Sequence, residues 1–162
     1  MALSKQLLQS EIDKTFFVTK VHFETEFQAL KEVFGILVEV RLEMPNLRPH
    51  QRIAAAGETK EQRVMDVERM TQKLNSLHNK LLYASENLSP FYPKEIYIQI
   101  GECQHALHLE ITDVALTQDE ERFRSEWFRH GEENLRQFIA AYDKVSALLR
   151  DRISRLAIVR ST

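Results

Sequence analysis

Proline and glycine, the residues that most strongly punctuate a chain, occur only four times each in 162 residues, and the prolines are confined to two short stretches. No proline falls between Leu3 and Met44, between Arg52 and Ser89, or after Pro93. An all-β sandwich or barrel, or a series of βαβ units, needs many turns, whereas long helices need only a few connections. The chain is therefore expected to be all-α. At 43% apolar and 28% charged it can bury one core and is short for two, so a single domain spanning residues 1–162 is expected.

Helical spacing appears in four segments, taken as residues 3–44, 59–88, 93–116 and 118–159. In the first, Ile12, Phe16, Phe23, Phe27, Leu30, Phe34 and Leu37 recur in steps of three and four or their sums. Val18, Val21, Val33, Ile36 and Val40 widen that face beyond a two-stranded seam, as suits a helix inside a bundle. Pro45 and Pro49 end it. Thr59-Lys60-Glu61-Gln62 has the form of a capping box opening the second helix, whose seam of Val67, Met70, Leu74, Leu77, Leu81, Ala84 and Leu88 is regular enough to be coiled-coil-like. Ser89 is placed to cap the third helix, with Ile96, Ile100, Cys103, Leu107, Ile111 and Val114 on its main face. Thr117-Gln118-Asp119-Glu120 is a second capping-box pattern, opening a long fourth helix with Trp127, Leu135, Phe138, Tyr142, Val145, Leu149, Ile153 and Leu156 along its seam.

Short connections between four such helices predict an antiparallel up-down-up-down four-helix bundle with long first and last helices. At 1.5 Å per residue the middle helices span about 37 to 45 Å and the outer two about 60 Å. The termini are thus expected to run together beyond the Ser89 to Pro93 turn as a two-helix stalk.

Phe23-x-x-Glu26-Phe27, Leu37-Val38 with Arg41, Leu47-Arg48-Pro49, and above all Pro90-Phe91-Tyr92-Pro93-Lys94-Glu95-Ile96-Tyr97 resemble a group of bacterial helical proteins of uncharacterised activity. The resemblance spans about residues 15 to 110. It implies a helical bundle, in which the first long helix often follows a membrane anchor, and implies no activity.

A formal net charge of −2, with the charges well mixed, does not suggest a broad nucleic-acid-binding face, and no nucleic-acid partner is expected. One cysteine, Cys103, fits a reducing compartment. No signal-peptide core and no spanning apolar run is seen, so a cytoplasmic protein is expected, the alternative being the soluble part of a membrane-anchored one.

Chemistry-bearing patterns are sparse. Glu102-Cys103-Gln104-His105 is a single E-x-x-H, whereas a di-iron bundle needs two such motifs and two further inward glutamates. Glu102 and His105 also fall opposite the apolar row of their helix. His105 and His108, with Glu102 and Glu110 nearby, are candidate ligands for a surface zinc or nickel ion, but exposed histidines on a polar face are the plainer account. His22, His78 and His130 lie on different helices and form no motif. Cys103 sits in an apolar row, where a thiol packs as a small hydrophobe. Neither a glycine-rich phosphate loop nor a nucleophile elbow occurs. No residue set argues for an enzyme, and no cofactor is expected. Gly35, Gly101 and Gly131 fall inside helices at what is expected to be one level, marking close backbone approach or, more sharply, ligand space.

Surface hydrophobes say more. Ile98 and Leu109 share the outward side of the third helix with Glu102 and His105, a stripe that a four-helix core does not explain. Leu3, Leu7, Leu8, Ile158 and Val159 add apolar surface to the stalk. The expectation is a non-catalytic interaction or scaffold module, self-associating as a homodimer through Ile98, Leu109, Leu7, Leu8 and Ile158, or meeting another protein there. The alternative is a small-ligand or metal-binding sensor. Arg150, Arg152, Arg155 and Arg160 near the hydrophobic N-terminus are compatible with an anionic membrane surface, although a solvated helix end is the simpler account.

Overall fold

The computed structural model describes the backbone of residues 2–48, 57–117 and 124–158, and side chains within these ranges except at residues 2–8, 13, 15–18 and 156–158. The described residues are helical almost throughout, with no strand among them. α1 runs Ala2–Glu43, α2 Lys60–Leu88, α3 Lys94–Leu116 and α4 Ser125–Ile158. Short 3-10 turns, Met44–Asn46 and Ser89–Phe91, follow α1 and α2 where Pro45 and Pro90 remove the N–H needed to continue an α-helix. None of the described helices is long and apolar enough to cross a membrane.

The capping box opening α2 is formed in full. The Gln62 N–H donates to Thr59 Oγ1 at 3.2 Å, and the Thr59 N–H donates to Gln62 Oε1 at 2.8 Å. Gly57, at φ 96°, turns the chain into that cap through a conformation only glycine adopts freely. Ser89, expected to cap α3, acts on the preceding helix instead, and Thr117 also bonds back to the helix before it. Ser89 Oγ donates to the Glu86 carbonyl at 2.9 Å and closes α2, while Pro93 is the N-cap of α3, its carbonyl accepting the N–H groups of Ile96 and Tyr97. Thr117 gives both its N–H and its hydroxyl to the Asp113 carbonyl and closes α3. Gln118, Asp119 and Glu120 lie outside the described residues, and α4 is described from Ser125, later than the expected start at 118. A hydroxyl after a helix can satisfy the orphan carbonyls behind it as readily as the N–H groups ahead.

The core takes Leu74, Leu77 and Leu81 from α2, Ile100, Cys103 and Leu107 from α3, and Phe138, Tyr142 and Val145 from α4, all on the expected seams. Among the described side chains of α1, burial begins at Ala29 and runs through Leu30, Val33, Leu37 and Val40 to Met44 and Leu47. Ile12, Val21 and Phe27, read as part of the inward face, are exposed. The spacing there is helical, yet these three side chains are left exposed. Phe16 and Val18 lie outside the described side chains.

Tyr92 anchors the proline-rich turn. Its hydroxyl donates to the Ser85 carbonyl at 2.8 Å, and burial, with Tyr97 and Glu86 nearby, pushes the phenol up to about 12. Gln104 Nε2 donates to Ser85 Oγ at 2.7 Å, and the Tyr97 hydroxyl to Glu86 at 2.6 Å, joining α3 to α2. α3 and α4 pack most closely, helped by Ala106 and Ala141 in their contact. α1 and α4 come together mainly through long side chains: Glu26 with Arg152, Phe34 stacked on Tyr142 at 5.3 Å, and the Arg41 guanidinium 4.6 Å from the centre of the Tyr142 ring.

Candidate functional site

The most concentrated polar chemistry lies where the chain leaves α1. Arg48, after the 3-10 turn, projects between α3 and α4 and is buried, as is Glu110. The pair is bidentate: Nε donates to Glu110 Oε1 at 2.8 Å and Nη2 to Oε2 at 2.9 Å. Nη2 also donates to Asp113 and Nη1 to the Trp127 carbonyl, and the guanidinium lies 4.9 Å from the centre of the Trp127 ring. Asn134 Nδ2 gives Glu110 Oε2 a further bond at 2.8 Å. A charged pair tolerates burial only when its remaining donors and acceptors are met in this way.

Gly131 explains how the arginine fits. A Cβ at that position would stand 2.6 Å from Arg48 Cδ and 3.0 Å from Nε, so α4 makes room for the side chain by omitting one. Gly35 and Gly101 do nothing comparable: an added Cβ would meet no atom within 4 Å at either. The expected common glycine level is also absent. Phe34, beside Gly35, packs on Tyr142, about three turns along α4 from Gly131. The close approach therefore belongs to Gly131 alone.

By sequence Glu110 is a ligand candidate near His105 and His108. Instead it belongs to the Arg48 cluster, because around α3 it falls between Cys103 and Ala106, on the edge of the buried face. That position, a lone glutamate in an apolar row, was the signal that it would be buried with a cation. His105 and His108 are held on different flanks. His105 borders the α3–α4 groove with Glu102, while the His108 ring lies 5.6 Å from that of His78 on α2. Desolvation, reinforced by His108, pushes the His78 imidazole below its ordinary pKa. Among the described residues no three His, Cys, Asp or Glu side chains are grouped to hold a metal ion. Cys103 is fully buried, and its thiol is pushed up to about 12 by burial and then by Glu102, which removes thiolate character at neutral pH.

Ile98 and Leu109 are exposed, with Glu102 and His105 exposed between them. Leu7, Leu8 and Ile158 belong to described helices, but their side chains lie outside the described set. Two shallow depressions of about 450 and 390 Å³ run along the α3–α4 junction and share Gln99 and Lys144. A third, about 590 Å³, is bounded by α2 residues only, among them Asn75, Asn79 and Tyr83, and is a surface hollow rather than an enclosed site. None of the three is lined by Gly35, Gly101 or Gly131.

No protein-family model, no curated protein and no solved structure matches the chain.

Proposed function

We propose that this chain is a non-catalytic interaction or scaffold module, built as a single antiparallel up-down-up-down four-helix bundle that associates with itself through exposed helix faces. The bundle reading is supported by the order of contacts along each helix pair. On α1 and α4, Glu26 meets Arg152, Phe34 meets Tyr142, and Arg48, just beyond α1, meets Trp127, so one chain ascends as the other descends. On α2 and α3, Glu86 meets Tyr97, Ser85 meets Gln104 and His78 meets His108. On α3 and α4, Glu110 meets Asn134 and Asp113 lies near His130.

The observation that carries the interaction reading is apolar surface left over after the core is filled. Ile98, Leu109 and Leu116 are exposed on one face of α3, and apolar surface repeated along a helix face favours burial against a second helix; Ile12, Val21 and Phe27 are exposed on α1 without sharing a face. The polar chemistry, by contrast, is largely engaged within the fold: Arg48 bonds Glu110 and Asp113, and Asn134 bonds Glu110.

Light scattering over a range of concentrations, with and without chelator, tests the reading. A mass that rises from one chain to two as concentration increases, unchanged by chelator, is expected. A one-chain mass at every concentration would remove self-association. A dimer that chelator dissolves would replace it with metal-mediated assembly.

A further inference from the structure

Exposed hydrophobes around α3 fall into an order that reads the same in both directions. Ile98, Glu102, His105 and Leu109 are spaced by four, three and four residues, and at about 100° per residue they share an arc of about 60°. All four are exposed, Ile98 at 47% and Leu109 at 37%. Leu116, 77% exposed, continues the stripe seven residues beyond Leu109, and Phe91, 46% exposed in the turn before α3, stands seven residues before Ile98. The stripe on the helix is thus Ile, Glu, His, Leu, Leu, with apolar residues on both sides and an acid beside a base between them.

This is the pattern that an isologous contact requires. A two-fold axis crossing α3 between Cys103 and Gln104 lays the helix antiparallel on its own copy and pairs positions by reflection about that point. Ile98 then faces Leu109 of the second copy, and Glu102 faces His105 of the second copy. The central pairs are complementary, because a histidine offers a glutamate a ring N–H when neutral and a full charge when protonated. Neither Glu95, Glu102 nor Lys144, which border the adjoining groove, has an ion pair within 4 Å among the described residues, so these charges are free to meet a second copy.

We infer that α3 is the self-association surface, packing antiparallel on α3 of a second copy with Ile98 against Leu109 and Glu102 against His105. The inference rests on the self-associating reading above and adds the surface and the register.

Its test is charge reversal with complementation, followed by sedimentation velocity. Glu102→Lys alone sets lysine against histidine, and His105→Glu alone sets glutamate against glutamate, in each case twice per dimer. Each variant should dissociate at least tenfold more readily than wild type while keeping its helical circular dichroism, since both positions are exposed. An equimolar mixture restores opposite charges at both contacts and should sediment as a two-chain species at concentrations where each variant alone is a single chain. If both variants dimerise like wild type, the interface lies elsewhere and the assignment of α3 is overturned, while self-association stands. If both dissociate and mixing restores nothing, the register is overturned. A wild-type protein that is a single chain throughout overturns the self-association reading itself.

Discussion

Two bidentate arginine–glutamate pairs join distant parts of this chain, and their surroundings could hardly differ more. Arg48 and Glu110 have side chains about 2% exposed, and every partner they need is supplied by α3 and α4. Arg152 and Glu26 make equally direct contacts, at 2.6 and 2.8 Å, but the arginine is 38% exposed and the glutamate 13%. The first pair locks the loop after α1 into the groove between two helices. The second joins α1 to α4 near the half-buried Phe23 and the exposed Phe27 of α1. Geometry alone would rank them as equals. Burial separates them, since water and salt screen an exposed pair, whereas a buried charge that loses its partner has nothing to replace it.

Breaking the buried pair should therefore have the largest effect. Glu110→Ala leaves the Arg48 guanidinium buried with less compensation and should lower unfolding free energy by about 3 to 5 kcal/mol in a denaturant titration. Gly131→Ala should come next. It keeps every charge but drives a Cβ into the Arg48 side chain, which is pinned at its far end, and should cost about 1 to 3 kcal/mol as overpacking. Arg152→Ala should cost about 1 kcal/mol or less, an amount that shrinks further in high salt.

The smallest effect concerns His78, whose imidazole is held below its ordinary pKa by desolvation and by His108. Folding favours its neutral form, so the unfolded chain binds more protons as pH falls through about 6.5. Stability should be fully present above that value and decline below it. His78→Asn should flatten the pH dependence of the melting temperature between about pH 7.5 and 5.

The same contrast between interior and surface governs how much could be read in advance. The seams of α2, α3 and α4 were legible because each helix buries one face and periodicity records it: Leu74, Leu77 and Leu81, or Ile100, Cys103 and Leu107, are buried as their spacing implies. Along α1 the same signal does not report burial, because Val21 and Phe27 hold helical spacing and are exposed. Periodicity states which face is apolar and says nothing of what lies opposite. The caps were ambiguous for a related reason. Ser89 and Thr117 fit the start of a following helix, yet their hydroxyls close the helix before. The Arg48 cluster was the least accessible part. It joins residues 62, 65 and 79 positions apart, and only Glu110, a charge within an apolar row, marked one end of it. On α3 the outward stripe of Ile98, Glu102, His105 and Leu109 could be read directly, because a single helix fixes the relation of all four.

Native-state hydrogen exchange on the intact protein compares the two ends most directly. If the Arg48 cluster fixes one end of the bundle and the outer half of α1 is left over, amides of α3 and α4 around Glu110 and Asn134 should exchange only on global unfolding. Amides of α1 between Gln9 and Thr25 should exchange many-fold faster. Equal protection along the whole of α1 and around the Arg48 cluster would contradict the account, because it would mean that the outer part of α1 is held as firmly as the core.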